Sequence, residues 1–124
     1  MILARVILPW AKTSDLSMNA RIHWRRKHKL ITEQKFVADA LAREAKWHKI
    51  DVPADVPLLV TLTCCPPSRC PYPDDDNFTT AQKGALDALA DVLNVNDRRF
   101  KLQPVMKGDR SKNGGVIVEI RVAA

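Results

Sequence analysis

The sequence lacks an apolar run of the roughly 20 residues that a membrane-spanning helix requires. The apolar stretch Met1–Leu8 is short, is interrupted by Arg5, and is followed by no small-residue cleavage site. We therefore expect a strand there and not a signal peptide, and no contact with a membrane. The sequence also has no glycine-rich phosphate loop and no serine paired with a recognisable base, so neither a nucleotide cofactor nor nucleophilic catalysis is expected.

Thiols are few, and their spacing fits no common metal site. Cys64, Cys65 and Cys70 are an odd set without a fourth ligand, and the three histidines have no zinc-type spacing. This excludes the usual structural zinc patterns. Unpaired thiols are typical of a reducing compartment, so a cytoplasmic location is expected.

Basic residues outnumber acidic ones by 20 to 14, which gives a formal net charge of +6 on 124 residues. The basic residues concentrate in Arg21–Lys29 and again between Arg98 and Arg110. Within the first group, Arg21, Arg25, Arg26 and Lys29 are the predicted contacts with a DNA backbone. The alternative is an ordinary solvated basic face, which many proteins have.

The hydrophobic pattern predicts a single α+β domain over residues 1–124, with the order β-α-β-α-β-β. It places two main helices on one face of a mixed sheet. The first helix is expected at Thr32–Trp47 with Thr32 as its N-cap, or from near Ile22, since no breaker intervenes. Its apolar face is predicted from residues that recur at helical spacing, namely Phe36, Val37, Ala40, Leu41 and Ala45. Trp24 is also expected in the core. The remaining segments are the strands Met1–Pro9, Pro57–Cys65, Arg99–Met106 and Val116–Val122, and the helix Asn77–Leu93.

The run Asp74-Asp75-Asp76-Asn77 is unusual in a basic protein, because adjacent carboxylates repel one another. Carboxylate and amide oxygens are the ligands that Mg²⁺ prefers. In extended backbone, Asp74 and Asp76 would point the same way. If the following helix begins at these acids, Asp76, Lys83 and Asp87 share one face of it.

An ordinary structural explanation exists for each of these residues. Aspartates at a helix start stabilise the helix by capping and through its dipole. Lys83 and Asp87 form the i,i+4 pair that is common on solvated helices. The acids alone therefore do not establish a metal site.

The combined pattern is more specific. Asp-x-Asp-Asn over 74–77, Lys-x-x-x-Asp-x-Leu over 83–89 and Asn-Asp-Arg-Arg over 96–99 resemble the RusA-like Holliday-junction resolvases, many of them encoded by phages and prophages. The stretches Leu8-Pro9 and 19–25 look like the opening of that family. The match departs from the family at Asn96, where a second aspartate is usual, and in a longer spacing between Asn77 and Lys83.

The resemblance implies a structure-specific endodeoxyribonuclease, acting as a homodimer on four-way junctions or related branched DNA in a bacterial or phage-infected cell. It implies Mg²⁺ as the cofactor, with Mn²⁺ able to substitute. The family's three metal-binding aspartates match Asp74, Asp76 and Asp97, and its helical lysine matches Lys83, so these four residues are the expected catalytic set. A nonenzymatic DNA-binding or phage structural protein, whose acids only cap a helix, is the alternative.

Overall fold

The computed structural model describes residues 2–16 and 21–123 of the chain. The strands are β1 (Ile2–Leu8), β2 (Leu58–Cys65), β3 (Phe100–Leu102), β4 (Met106–Lys107) and β5 (Gly115–Val122). The helices are α1 (Thr13–Leu16), α2 (Trp24–Glu44), α3 (Asp75–Ala81) and α4 (Lys83–Leu93), with short 3-10 turns at Trp47–Lys49 and Asp97–Arg99. Asn19 and Ala20, which belong to the family-like opening, lie outside the described residues.

The strands form one mixed sheet in the order β1-β5-β2-β3, and β4 also pairs with β2. β5 is antiparallel to both of its neighbours, while β3 and β4 run parallel to β2. The single strand predicted at Arg99–Met106 is in fact two short strands. Pro104 lies between them, and proline has no N–H to donate to a ladder.

The core lies between this sheet and the helices α2 and α4. Alternate residues of β2 are buried, as expected for a strand with one covered face, and they pack with the apolar face of α4. Trp47 is fully buried, and its indole N–H donates a hydrogen bond to the Arg5 carbonyl at 3.1 Å. The predicted α+β architecture is confirmed.

Helix α2 begins earlier than Thr32 and presents a different face to the core. His23 is its N-cap and accepts a hydrogen bond from the Arg25 N–H, whereas Thr32 lies inside the helix. The predicted Thr32 cap is therefore wrong, and the earlier start is correct. The buried residues are Ala38 and Ala42, while Phe36 is 75% exposed.

The second predicted helix is divided at Gln82. The backbone there has ψ −3°, and the Gln34 side chain of α2 donates to the Ala81 carbonyl at 2.8 Å. Helix α2 also approaches closely at Gly84, where a Cβ would lie 2.6 Å from Gln34 Oε1. A continuous helix over Asn77–Leu93 is thus wrong, although its apolar residues are buried as predicted.

The sheet has two ends that matter for the site. At one end, here called the Cys65 end, Leu8 and Cys64 both pair with Val116, so β1 and β2 finish together. At the other, the Leu58 end, β2 begins beside Phe100 of β3.

Helices α2 and α4 both begin near Leu8, because Arg26 and Ala85 line a hollow with it. Trp47, just after α2, donates its hydrogen bond to Arg5, which lies nearer the other end of β1, and the turn after α4 leads into Phe100 at the Leu58 end. Both helices therefore run from the Cys65 end toward the Leu58 end.

Candidate nuclease site

Asp74, Asp75 and Asp76 are exposed at the start of α3, at the Cys65 end of the sheet. Asp74 is the N-cap, and the next two aspartates are the first helical residues. Their location follows from Cys64, which lies near the end of β2. Burial raises the pKa of the Cys64 thiol to about 11, and the charge of Asp75 contributes to the increase, so Asp75 lies near that thiol.

The local backbone differs from the one assumed in the sequence analysis. Asp74 is extended but Asp76 is helical, so the alternation of an extended strand does not apply to these two side chains. The stripe expected to connect Asp76 with Lys83 is interrupted, because α3 ends at Ala81 and α4 begins at Lys83. Aspartate stabilises a helix start, which explains why the chain becomes helical directly after Asp74.

Asp97 lies in a separate acidic hollow beside α4. Asn94 ends α4 in the left-handed conformation, and Asn96 then caps the turn by accepting the Arg98 N–H at 2.9 Å. The hollow measures about 340 Å³ and is lined by Asp87, Ala90, Asp91, Val95, Asn96 and Asp97. Sequence reasoning missed Asp87 as a site residue, although it belongs to the Lys-x-x-x-Asp pattern.

The carboxyl groups of Asp87 and Asp97 face the same hollow, and their charges interact. Burial raises the pKa of Asp87, and the charge and hydrogen bond of Asp97 raise it further. The charges of Lys35 on α2 and of Lys83 lower the same pKa. Lys83 precedes Asp87 by one turn of α4, so the two side chains lie on the same side of that helix.

Arg99, which follows in the same motif, has a structural role. Its guanidinium donates hydrogen bonds to the backbone carbonyls of Val56 and Pro53, across 43 and 46 residues of sequence. This anchors the turn that carries Asp97 to the segment preceding β2. The second arginine of Asn-Asp-Arg-Arg thus fixes the position of the motif.

Asp87→Asn should stabilise the folded protein at neutral pH. Because its pKa is raised, Asp87 keeps its proton to a higher pH in the folded state than in the unfolded state, where the pKa is 3.8. Ionisation of Asp87 above that pH therefore lowers the free energy of unfolding. The asparagine has no negative charge to repel the Asp97 carboxylate, and its amide N–H can donate a hydrogen bond to it. Urea denaturation at several pH values should show a higher free energy of unfolding for the variant than for wild type at pH 7, and no difference below pH 3.8. An equal difference at every pH would contradict this explanation.

The two groups of acids lie toward opposite ends of β2. Asp75 is near Cys64, whereas Asp97 precedes Phe100, which pairs with Leu58. Six strand positions extend about 20 Å. Within residues 2–16 and 21–123, no three His, Cys, Asp or Glu side chains are grouped to hold a metal ion. The oxygen donors suit Mg²⁺, but one chain does not assemble the expected set from Asp74, Asp76 and Asp97.

The predicted DNA-binding residues lie at the exposed start of α2. Arg21, Arg25, Arg26 and Lys29 are all exposed, and Arg25 lies over the Trp24 ring at 5.3 Å. Trp24 is 68% exposed, so its expected place in the core is wrong. The segment belongs to the Cys65 end, because Arg26 and Leu8 line the same hollow.

That hollow, of about 410 Å³, is larger than the acidic one and lies between the end of β1, α1 and α2. Its walls include Trp10, Leu16, Leu30 and Val37, and of the predicted site residues only Arg26 reaches it. None of the aspartates of the candidate site lines it. Its size therefore does not identify it as the catalytic site.

The architecture defines a small α+β protein, and in the described part of the chain no helix is long and apolar enough to cross a membrane. No family model matches the sequence. The chain is 37% identical over 113 residues to an "Uncharacterized protein" of Xylella fastidiosa (strain Temecula1 / ATCC 700964), a match covering 91% of this chain and 72% of the relative. The chain belongs to the same family as that protein.

Proposed function

We propose that this protein is a magnesium-dependent endodeoxyribonuclease that resolves Holliday junctions or related branched DNA by paired phosphodiester cleavage. The observation that carries the proposal is the combination at the Cys65 end: three exposed aspartates lie at the same end of the sheet as the exposed basic start of α2. Carboxylates repel the phosphates of a polyanion unless a divalent cation binds to both, so their position beside a DNA-binding surface favours a metal site. The RusA-like motifs support the same function.

Two-fold symmetry is part of the proposal. Resolution of a four-way junction requires two cuts related by a two-fold axis, and a C2 homodimer supplies two sites in that relation. It also offers a way to join the separated acids, because Asp97 of one protomer can meet Asp74 and Asp76 of the other. Magnesium, with manganese able to substitute, is the expected cofactor, and the cytoplasm is the expected location.

The rival function is nonenzymatic DNA binding, or a structural role in a phage. It is favoured by the position of the acids, since Asp74 to Asp76 occupy a helix start where carboxylates stabilise the fold without any metal. Nonenzymatic DNA binding would use the same basic surface as the proposed nuclease and differs from it in whether DNA is cut. A structural role would require neither DNA binding nor cleavage.

The discriminating experiment incubates the protein with a labelled synthetic four-way junction, with and without Mg²⁺. The proposal expects symmetric nicks that require the ion, and a linear duplex of the same sequence should be a poor substrate. Tight junction binding without nicks in either Mg²⁺ or Mn²⁺ would support the rival function.

The start of α2 gives a prediction on binding. Replacing Arg25 and Arg26 with Ala should weaken junction binding and reduce the slope of log K against log salt by about 1.8, or about 0.9 per phosphate contact. Both side chains are exposed, so the fold should be retained. Fluorescence anisotropy at several salt concentrations measures the slope, and an unchanged slope would place these arginines away from DNA.

A further inference from the structure

A second group of cations surrounds Tyr72, outside the segment assigned to DNA from the sequence. The Arg110 guanidinium lies 4.5 Å from the centre of the Tyr72 ring, and the Lys107 ammonium lies 5.4 Å from it. Both basic side chains are exposed. We call these three residues the Tyr72 surface.

Hydrogen bonds hold the Tyr72 surface in place. The Tyr72 hydroxyl donates to the Gly108 carbonyl at 2.5 Å, and Arg110 Nε donates to the Cys70 carbonyl at 3.0 Å. The proline-containing loop before α3 is thereby joined to the loop after β4. The positions of Arg110 and Tyr72 are thus fixed before any ligand binds, which lowers the entropic cost of binding one.

Within residues 2–16 and 21–123, neither cation of the Tyr72 surface has a carboxylate at ion-pair distance. The charges of Lys107 and Arg110 are therefore open to an external anion. Asp109 lies between them in sequence, but it is exposed and at ion-pair distance from neither. Ordered cations without a protein anion are suited to an external one.

The position of this surface relates it to the acids. Lys107 pairs with Cys64 in the sheet, and Tyr72 donates its hydrogen bond to Gly108, the residue after Lys107. Tyr72 is also two residues before Asp74, so the Tyr72 surface and the acids lie at the same end of the sheet. Lys107 belongs to β4, on one side of β2, whereas Arg26 lies beside the end of β1, at the other edge. Three strand spacings, about 14 Å, separate β1 from β4, and Asp75 is near β2, one of the two strands between them.

We propose that the Tyr72 surface is a second contact with the DNA backbone, on the opposite side of Asp74–Asp76 from the α2 arginines. This rests on the proposed function, because it takes the anion to be the DNA that is cut. Arg110 and Lys107 each neutralise a phosphate, and Tyr72 positions the guanidinium. A DNA strand held on both sides passes over the aspartates.

The test measures junction binding by anisotropy in EDTA, where the DNA stays intact, over a series of salt concentrations. The Lys107→Ala, Arg110→Ala double variant should reduce the salt slope by about 1.8. Tyr72→Leu should reduce it by about 0.9, because Arg110 loses its support, while Tyr72→Phe keeps the ring and should retain the wild-type slope. The matched control is Lys49→Ala, Lys101→Ala, which removes two exposed charges toward the Leu58 end and should leave the slope unchanged.

Circular dichroism and thermal unfolding establish that each variant is folded. A wild-type salt slope in the folded Lys107→Ala, Arg110→Ala variant would overturn the inference. An equally reduced slope in the control variant would also overturn it, as would a wild-type protein that binds no DNA. Failure of the proposed nuclease function is a separate observation, namely wild-type protein that binds the junction but does not nick it with Mg²⁺.

Discussion

Asp76→Asn should abolish magnesium-dependent nicking of a four-way junction while leaving junction binding intact or tighter. In the proposed nuclease, the Asp76 carboxylate is one of the metal ligands, and an amide has no charge to offer the cation. Removing a negative charge beside the phosphates should favour binding. Nicking and binding are measured on the same labelled junction, with and without Mg²⁺.

Asp75→Asn is the matched control for this variant. It removes the same charge from the neighbouring exposed residue, which shares the first turn of α3. Loss of the helix-dipole interaction should cost each variant about 0.3–1 kcal/mol, so their unfolding curves should be similar. Nicking at the wild-type rate by Asp76→Asn would remove Asp76 from the mechanism. Equal loss in both variants would indicate a general charge effect instead.

The strands and the second helical region were predictable because their patterns are local. The alternation along Leu58–Cys65 and the apolar stripe between Phe78 and Val92 each indicate a buried face without reference to the rest of the chain. These segments form the core as predicted. The order of elements, and with it the α+β class, follows from the same patterns.

The buried face of α2 was not predictable in this way. Its core side carries Ala38 and Ala42, because α2 packs close to its neighbours, and small residues give a weak periodic signal. Phe36 and Trp24 are the stronger apolar signals, yet both are exposed. A large side chain is only an indication of burial, and the exposed Trp24 instead supports Arg25.

The break at Gln82 is a tertiary effect. No proline divides Asp75–Leu93, and the hydrogen bond from Gln34 to the Ala81 carbonyl joins residues 47 apart. The hollow that Asp87 and Asp97 share likewise depends on the left-handed Asn94, after which the chain returns toward α4. Residue spacing within one segment indicates neither the break at Gln82 nor the proximity of Asp87 to Asp97. The helix was therefore predicted as continuous, and Asp87 was not assigned to the site.

The separation of the acids leads to the second prediction, a site shared between two protomers. Asp97 shares a hollow with Asp87 beside α4, whereas Asp75 lies near Cys64, toward the other end of β2. A two-fold dimer that brings the Leu58 end of one protomer to the Cys65 end of its partner would place Asp97 of each protomer beside Asp74 and Asp76 of the other. Lys83, which lies near Asp87, would then approach the phosphate together with Asp97.

The prediction is that mixing two inactive variants restores nicking. Asp76→Asn and Asp97→Asn protomers are co-expressed with different tags, and the heterodimer is isolated by two affinity steps. In a shared site, the heterodimer has one site with both lesions and one with neither. It should therefore nick one strand of a junction without the paired second cut, at no more than about half the wild-type nicking rate.

Each mutant homodimer is the control for the mixture, and both should be inactive in every preparation. Subunit exchange during the assay can only regenerate these inactive homodimers, so any nicking must come from the heterodimer. If all the acids of a site belong to one chain, each site of the heterodimer contains one lesion, and no activity returns. An inactive heterodimer that still binds the junction would therefore exclude the shared site, while wild-type nicking would leave the nuclease function itself in place.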